Sequence, residues 1–195
     1  GFMIVAIGIF NQYSLTAGFF YMIHHVIVIA SLFLIAGIMI KKTKTSNINE
    51  MGGLWKSSPM LGIAFLIQSL ALTGIPPLSG FWGKLMLLKV GLEQSETLAI
   101  IAIIIASILT LLSMVKIWFH AFCTPVDSKS ESLIHPTKLQ ISAITILIVS
   151  SLTIGLHPNP MIVLAKNGIQ MAQNKSLLQQ EVQAVPVVKK VKEDH

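Results

Sequence analysis

Apolar residues occur along the chain in blocks of roughly twenty with almost no charge inside them, and polar segments separate the blocks. A helix needs about 20 apolar residues to cross a ~30 Å hydrocarbon layer. The pattern therefore predicts an all-α, polytopic bundle of transmembrane helices. The predicted spans are residues 1–10 (a truncated span), 17–40, 59–90, 97–123 and 139–157.

The third block is too long for one straight span, and its middle contains Gly74, Pro76, Pro77 and Gly80. Proline lacks a backbone donor and clashes with the preceding helical turn, so a regular helix cannot continue through this segment. In hydrocarbon such a break survives only where it packs in protein or lines a water-filled cavity. We predict one broken helix, interrupted at 74–80, that marks the interior of the bundle or an ion pathway.

The two ends of the chain differ from its middle. The first block starts without a charged flank, so we interpret the chain as a fragment that begins within a span. Residues 1–165 form the predicted membrane domain, and residues 166–195 a polar tail. Within 161–180 apolar residues recur at helical spacing, which predicts a helix in the membrane interface, followed by a disordered, charged end.

Composition supports a membrane protein and weakens other classes. Of 195 residues, 53% are hydrophobic and 11% charged, against about 25% charged in soluble domains. The net charge of +6 comes from lysines, without a single arginine, and most of these lysines flank the apolar blocks, so a nucleic-acid partner is not indicated. Lysines in the connectors 41–57 and 124–138 place both connectors on the inner side.

Lys84 follows the predicted break and lies well inside an apolar stretch. An ionisable residue at membrane depth is a functional hypothesis by default. Burial favours the neutral amine, whereas a neighbouring anion or water favours the ammonium, so such a lysine can carry a proton. The alternative is a lysine that reaches the interface or binds carbonyls freed by the break.

Two histidine-containing sites are further candidates for a proton pathway. His24 and His25 are adjacent and point about 100° apart on a helix, so at most one faces a given line of contacts. Each is either a relay element or a hydrogen-bonded structural group. Lys116 and His120 are one turn apart near the end of the fourth block, where they form either the exit of a path or an interfacial fringe.

The predicted spans contain no Asp or Glu, so this segment has no sodium site built of carboxylates. Phosphate-binding loops, metal-ligand spacings and nucleophile triads are also missing from the sequence. We therefore predict a membrane protein without cofactor or metal, not an enzyme.

Three runs of residues match a known family: 21–28 with its two histidines, Gly52-Gly53-Leu54-Trp55, and above all 72–84, which contains Ile-Pro-Pro-Leu-Ser-Gly-Phe-Trp-Gly-Lys. The chain resembles the antiporter-like membrane subunits shared by respiratory complex I and the multisubunit Mrp/Mnh Na⁺/H⁺ antiporters. The run 72–84 and the stretch 116–118 are most similar to the D-type branch of the Mrp antiporters.

The resemblance implies fourteen spans in two inverted repeats, each with a broken helix, and proton movement along a central axis of Lys, Glu and His. This chain then corresponds to the end of the tenth span through the fourteenth. Lys84 matches the ionisable residue of the second broken helix, and His25 the histidine of the preceding helix. Many relatives carry Lys where this chain has Ile29, so water or His24 would bridge the relay here.

The implied function is cation/proton exchange, in which the subunit carries protons coupled to Na⁺ or another monovalent cation. The implied partners are other subunits of an antiporter complex, the lipid bilayer of the cytoplasmic membrane, H⁺ and monovalent cations. One alternative is a proton-pumping membrane subunit of NADH:quinone oxidoreductase. Another is a membrane scaffold whose polar residues only stabilise packing.

Overall fold

The computed structural model describes residues 1–125 and 136–175, and within these ranges all regular structure is helical. Helices α1 to α7 are Phe2–Ile9, Gln12–Thr43, Leu54–Ser57, Pro59–Thr73, Ser79–Glu93, Thr97–Trp118 and Lys138–Leu156. A π-helical turn, Phe119–Cys123, extends α6. Residues 159–175 form a last helix, α8.

Three of the described helices are long and apolar enough to cross a membrane: Gln12–Thr43, Thr97–Cys123 and Lys138–Leu156. The apolar helix α4 is shorter, and α5 follows it across the predicted break. The predicted all-α, polytopic bundle with one broken helix is thus confirmed. On α6, Ile104, Ile108 and Leu112 are about half exposed or more, as expected for side chains that face lipid.

Side-chain caps explain where helices α2 and α7 begin. Asn11 accepts a hydrogen bond from the Ser14 backbone, and Ser14 accepts one from the Asn11 backbone, so α2 starts earlier than the predicted residue 17. Thr137 and Gln140 form the same reciprocal cap at the start of α7. Each cap satisfies backbone donors that the first helical turn leaves without partners.

Helix α2 is the centre of the bundle and contacts α1, α4, α5 and α7. Its buried face repeats at helical spacing and includes Ala17, Phe20, His24, Val28, Ser31 and Ile35. Ile35 belongs to an apolar cluster that also contains Phe65 of α4, and Val28 belongs to a second cluster with Ala71 and Leu72. The Gly53 backbone donates to the Thr124 carbonyl at 2.8 Å, so the two lysine-bearing connectors meet at one end of the bundle.

The first turns of α8 pack against the bundle. Ala165 is fully buried, and Met161 and Ile162 contact a cluster that contains Phe20 and Trp82. The predicted interfacial helix therefore begins with a protein-packed segment, while an interfacial position for the residues from 166 onward stays a prediction. The predicted disordered end, 176–195, and the segment 126–135 with Lys129 lie outside the described residues.

Candidate functional site

The break between α4 and α5 lies at residues 74–78, because α4 ends at Thr73 and α5 begins at Ser79. Gly74 has φ of 85°, a left-handed conformation that glycine adopts without the cost of a side chain. The Pro76-Pro77 peptide bond is cis. Gly80, which the sequence placed in the break, instead lies in the first turn of α5.

The carbonyls that α4 leaves free at its end all find donors. Gly74 donates its N–H to the carbonyls of Leu70 and Ala71. The ammonium of Lys84 donates to the next two, at 3.2 Å to Leu72 and 2.7 Å to Thr73. A cation is also favoured there by the partial negative charge of a helix C-terminus. Lys84 thus supplies, from a charged side chain, the donors for the last two carbonyls of α4.

Lys84 lies in an uncharged environment. Its side chain is 6% exposed, and its Nζ is 4.8 Å from the centroid of the Phe2 ring. It forms no ion pair with any residue that the structure describes, whereas Lys89 on the same helix pairs with Glu93 at the surface. Carbonyls and a ring face favour the ammonium less than a carboxylate would, so Lys84 can hold or release its proton without breaking an ion pair.

A chain of hydrogen bonds connects three helices beside the break. His24 of α2 is 1% exposed, and its Nδ1 lies 2.7 Å from the Ser79 hydroxyl of α5. The Ser79 hydroxyl lies 3.1 Å from that of Ser151 on α7. All three side chains are buried.

The hydrogen bonds that link His24, Ser79 and Ser151 can point in either direction. If His24 Nδ1 carries the hydrogen, it donates to Ser79, whose hydroxyl then donates to Ser151. In the other tautomer Ser151 donates to Ser79 and Ser79 donates to His24. His24 Nε2 has no partner among the described residues. The arrangement has the parts of a short proton relay.

Two glycines allow the helices to approach closely at the break. A Cβ on Gly80 would overlap the Ala71 carbonyl oxygen and lie 2.9 Å from His24 Nε2. A Cβ on Gly155 of α7 would lie 2.7 Å from the Ser79 backbone nitrogen. Trp82 fixes the same contact, since its Nε1 donates to the Gly155 carbonyl at 2.8 Å.

The His25 side chain points away from that of His24, because adjacent residues on a helix point about 100° apart. Its ring stacks on Tyr21 with centroids 5.7 Å apart, and its side chain is half-buried. Its Nδ1 is buried and bonds to no group in the described part of the chain. The structure therefore brings His24, and not His25, into hydrogen-bond contact with the break.

Lys116 and His120 lie near the C-terminal end of α6. Lys116 is exposed, and His120 in the π-helical turn places its Nδ1 2.8 Å from the Lys116 carbonyl. Trp118, which lies between them in the sequence, stacks on Phe122 with ring centroids 4.9 Å apart. The structure does not bring the pair into contact with Lys84 or His24.

Metal-binding clusters of three or more His, Cys, Asp or Glu side chains are not found within residues 1–125 and 136–175. Two polar residues at the site were not singled out from the sequence: Ser151 and Trp82. Ser151 and Gly155 lie four residues apart on one face of α7, and this small-residue spacing was the available signal.

Comparison with known proteins adds to this geometry. Residues 1–113 match the family described as NADH:quinone oxidoreductase/Mrp antiporter, transmembrane. The chain belongs to this family. The match contains α1 to α5, with the broken helix, Lys84 and both histidines, and most of α6. The chain is accordingly a multi-pass membrane protein.

Within the family, the chain is similar to antiporter subunits. It is 41% identical over 123 residues to the D-type subunit of the Na⁺/H⁺ antiporter of Alkalihalophilus pseudofirmus, a match that covers 63% of this chain and 25% of the relative. The Mrp complex structure from Dietzia contains a chain with a TM-score of 0.75 and 28% identity over 86% of this chain and 39% of that one.

A chain of respiratory complex I from Thermus thermophilus has a TM-score of 0.74 at 22% identity, over 86% of this chain and 36% of that one. At that identity the likeness shows the shared fold alone. This chain spans about a quarter of the length of the antiporter relative and less than two fifths of either structural neighbour.

Proposed function

We propose that this chain is part of the proton-carrying, D-type membrane subunit of a multisubunit Na⁺/H⁺ antiporter. In this function Lys84 takes up and releases protons at the broken helix, and His24 passes them along its hydrogen-bond chain. The function is secondary transport and not catalysis. The partners are the other antiporter subunits, and the location is the cell membrane.

One observation carries this proposal: Lys84 is buried in the bundle and bound only to neutral oxygens among the described residues. A lysine that served packing alone could be replaced by a neutral donor or an apolar side chain at lower desolvation cost. A group that must alternate between two protonation states has to be ionisable. The 41% identity to a D-type antiporter subunit supports the same conclusion for the region that contains Lys84.

Proton pumping within an NADH:quinone oxidoreductase is the second candidate. Its support is the fold likeness to a complex I chain, and the carrier residues would be the same. The relatives of higher identity are antiporter subunits, which favours cation exchange. Genes for small antiporter subunits beside this one would agree with exchange, and genes for iron–sulfur subunits would agree with pumping.

The test is Na⁺-dependent proton movement in everted membrane vesicles that contain the full-length subunit in its complex. We expect Lys84→Ala to abolish the exchange. Lys89→Gln is the matched control, because Lys89 lies on the same helix with a side chain that is 75% exposed, and it should exchange at the wild-type rate. Wild-type exchange by Lys84→Ala in an assembled complex would exclude the proposed role.

A further inference from the structure

The aromatic ring of Phe2, in the first turn of α1, faces the ammonium of Lys84. The distance from Nζ to the ring centroid is 4.8 Å, which is within the ~6 Å at which a ring face attracts a cation. An ammonium has three N–H donors, and the carbonyls of Leu72 and Thr73 accept from it at 3.2 and 2.7 Å. In the described structure Phe2 therefore completes the surroundings of a cation that has fewer oxygen acceptors than donors.

Neighbours on several helices hold the Phe2 ring in place. Its ring centroid lies 4.9 Å from that of Tyr21, whose side chain is 3% exposed. Tyr21 packs closely on α5, because a Cβ on Gly83 would lie 2.9 Å from the Tyr21 ring. Phe2 also packs against a buried apolar cluster of Ala6, Ala17, Leu87 and Ile103. The ring is therefore held beside Lys84 by packing that does not involve the lysine itself.

The helices around α5 bring few titratable groups to Lys84. Helices α1 and α4 have no titratable side chain, and those of α2 within the bundle are Tyr21, His24 and His25. The other titratable residues of α2 and α5 to α8 are exposed or lie in the turns at helix ends: Tyr13, Lys41, Lys42, Lys89, Glu93, Lys116, Lys138, Lys166 and Lys175. With no buried carboxylate among these groups, the two carbonyls and the ring face are what favours the ammonium over the neutral amine in the described structure.

We propose that Phe2 is a positioning residue for proton exchange, and that its ring face stabilises the protonated state of Lys84 until the proton is passed on. The attraction depends on the positive charge of the ammonium, so the neutral amine does not gain it. The ring therefore acts on one of the two states between which the carrier alternates. The inference rests on the proposed function, because the balance of these states matters for exchange only if Lys84 carries protons.

Three substitutions at Phe2 separate the ring face from the packing. Phe2→Leu keeps an apolar side chain and removes the ring, and Phe2→Tyr keeps the ring face. A trifluorinated phenylalanine at this position has nearly the size of phenylalanine, but its fluorine atoms withdraw electron density from the ring face, so it attracts a cation less. Phe33→Leu is the matched control, because Phe33 of α2 is 72% exposed.

The measurement is Na⁺-dependent proton movement as a function of pH, in everted vesicles that contain the full-length subunit in its assembled complex. Without the ring face Lys84 releases its proton at lower pH, so the alkaline limb of the profile should move to lower pH by roughly 0.5–1 unit in Phe2→Leu and in the fluorinated variant. Phe2→Tyr and Phe33→Leu should keep the wild-type profile. The fluorinated variant still decides the question if Phe2→Leu fails to assemble, because it preserves the packing.

An alkaline limb that stays in place in the fluorinated variant would overturn the inference, whatever the rate. A shift in Phe2→Leu alone would then show that the ring acts through its shape and not through its attraction for the ammonium. Lys84→Ala in the same vesicles tests the proposed function separately. Abolished exchange in Lys84→Ala with unmoved profiles at Phe2 would leave that function standing alone, whereas wild-type exchange by Lys84→Ala would exclude it.

Discussion

Lys84 of α5 donates a hydrogen bond to the carbonyl of Thr73 across the helix break, with 2.7 Å between Nζ and oxygen. The two residues belong to the two halves of one broken span. The same ammonium therefore stabilises the break and supplies an ionisable group in the interior of the bundle. Of the two interpretations that the sequence allowed for Lys84, the geometry shows the binder of freed carbonyls, and the proton carrier stays a prediction.

His24 and His25 are expected to differ in their effect on exchange. His24→Asn keeps a hydrogen-bonding group near the position of Nδ1, facing Ser79, but it cannot bind a proton at neutral pH. We expect this variant to lower Na⁺-dependent proton movement in everted vesicles by roughly tenfold or more. His25→Asn is the neighbouring control and should lose less, because His25 makes no hydrogen bond to the break in the described structure.

The opposite ranking is also informative. The family resemblance assigns the pathway histidine to position 25, and the structure brings position 24 to the break. A larger loss for His25→Asn than for His24→Asn, at equal amounts of assembled complex, would contradict the relay through Ser79.

Gly80→Ala is expected to destabilise the packing of the break. Its Cβ would overlap the Ala71 carbonyl oxygen and crowd His24 Nε2, and an overpacked site typically costs about 1–3 kcal/mol. The measurement is the thermal transition of the purified complex. Gly37→Ala is the control, since a Cβ there meets nothing within 4 Å; equal transitions for the two variants would show that the close approach at Gly80 is unnecessary.

Lys116→Gln is expected to leave exchange near the wild-type rate. Its side chain is exposed and makes no hydrogen bond or ion pair with Lys84 or His24 among the described residues, and His120 binds the Lys116 backbone, which the substitution retains. The initial rate of Na⁺-dependent proton movement is the readout. A strong loss of exchange in an assembled complex would indicate that Lys116 and His120 form the exit of the proton pathway.

The long apolar helices and the break could be predicted from the sequence because both depend on local chemistry. Apolar length sets a span, and Pro76 with Pro77 interrupts a helix wherever it packs. The choice between His24 and His25 depends on the rotation of α2 against α5, which adjacent residues on a uniformly apolar helix do not determine. The hydrogen-bond partners of Lys84 could be identified only from the structure, because every residue has a backbone carbonyl and the sequence does not mark which ones bind a side chain.

The burial of Ala165 in α8 also depends on contacts between helices. The sequence pattern did not indicate the π-helical turn at Phe119–Cys123.

The central claim is that Lys84 is needed for its ionisable charge and not merely for its hydrogen bonds to Leu72 and Thr73. Lys84→Gln separates the two roles, since its neutral amide can still donate to a carbonyl but cannot exchange a proton at neutral pH. The most direct measurement is Na⁺-dependent proton movement in everted vesicles that contain equal amounts of assembled wild-type or variant complex. The account predicts an assembled Lys84→Gln complex without exchange, and exchange at the wild-type rate would contradict it.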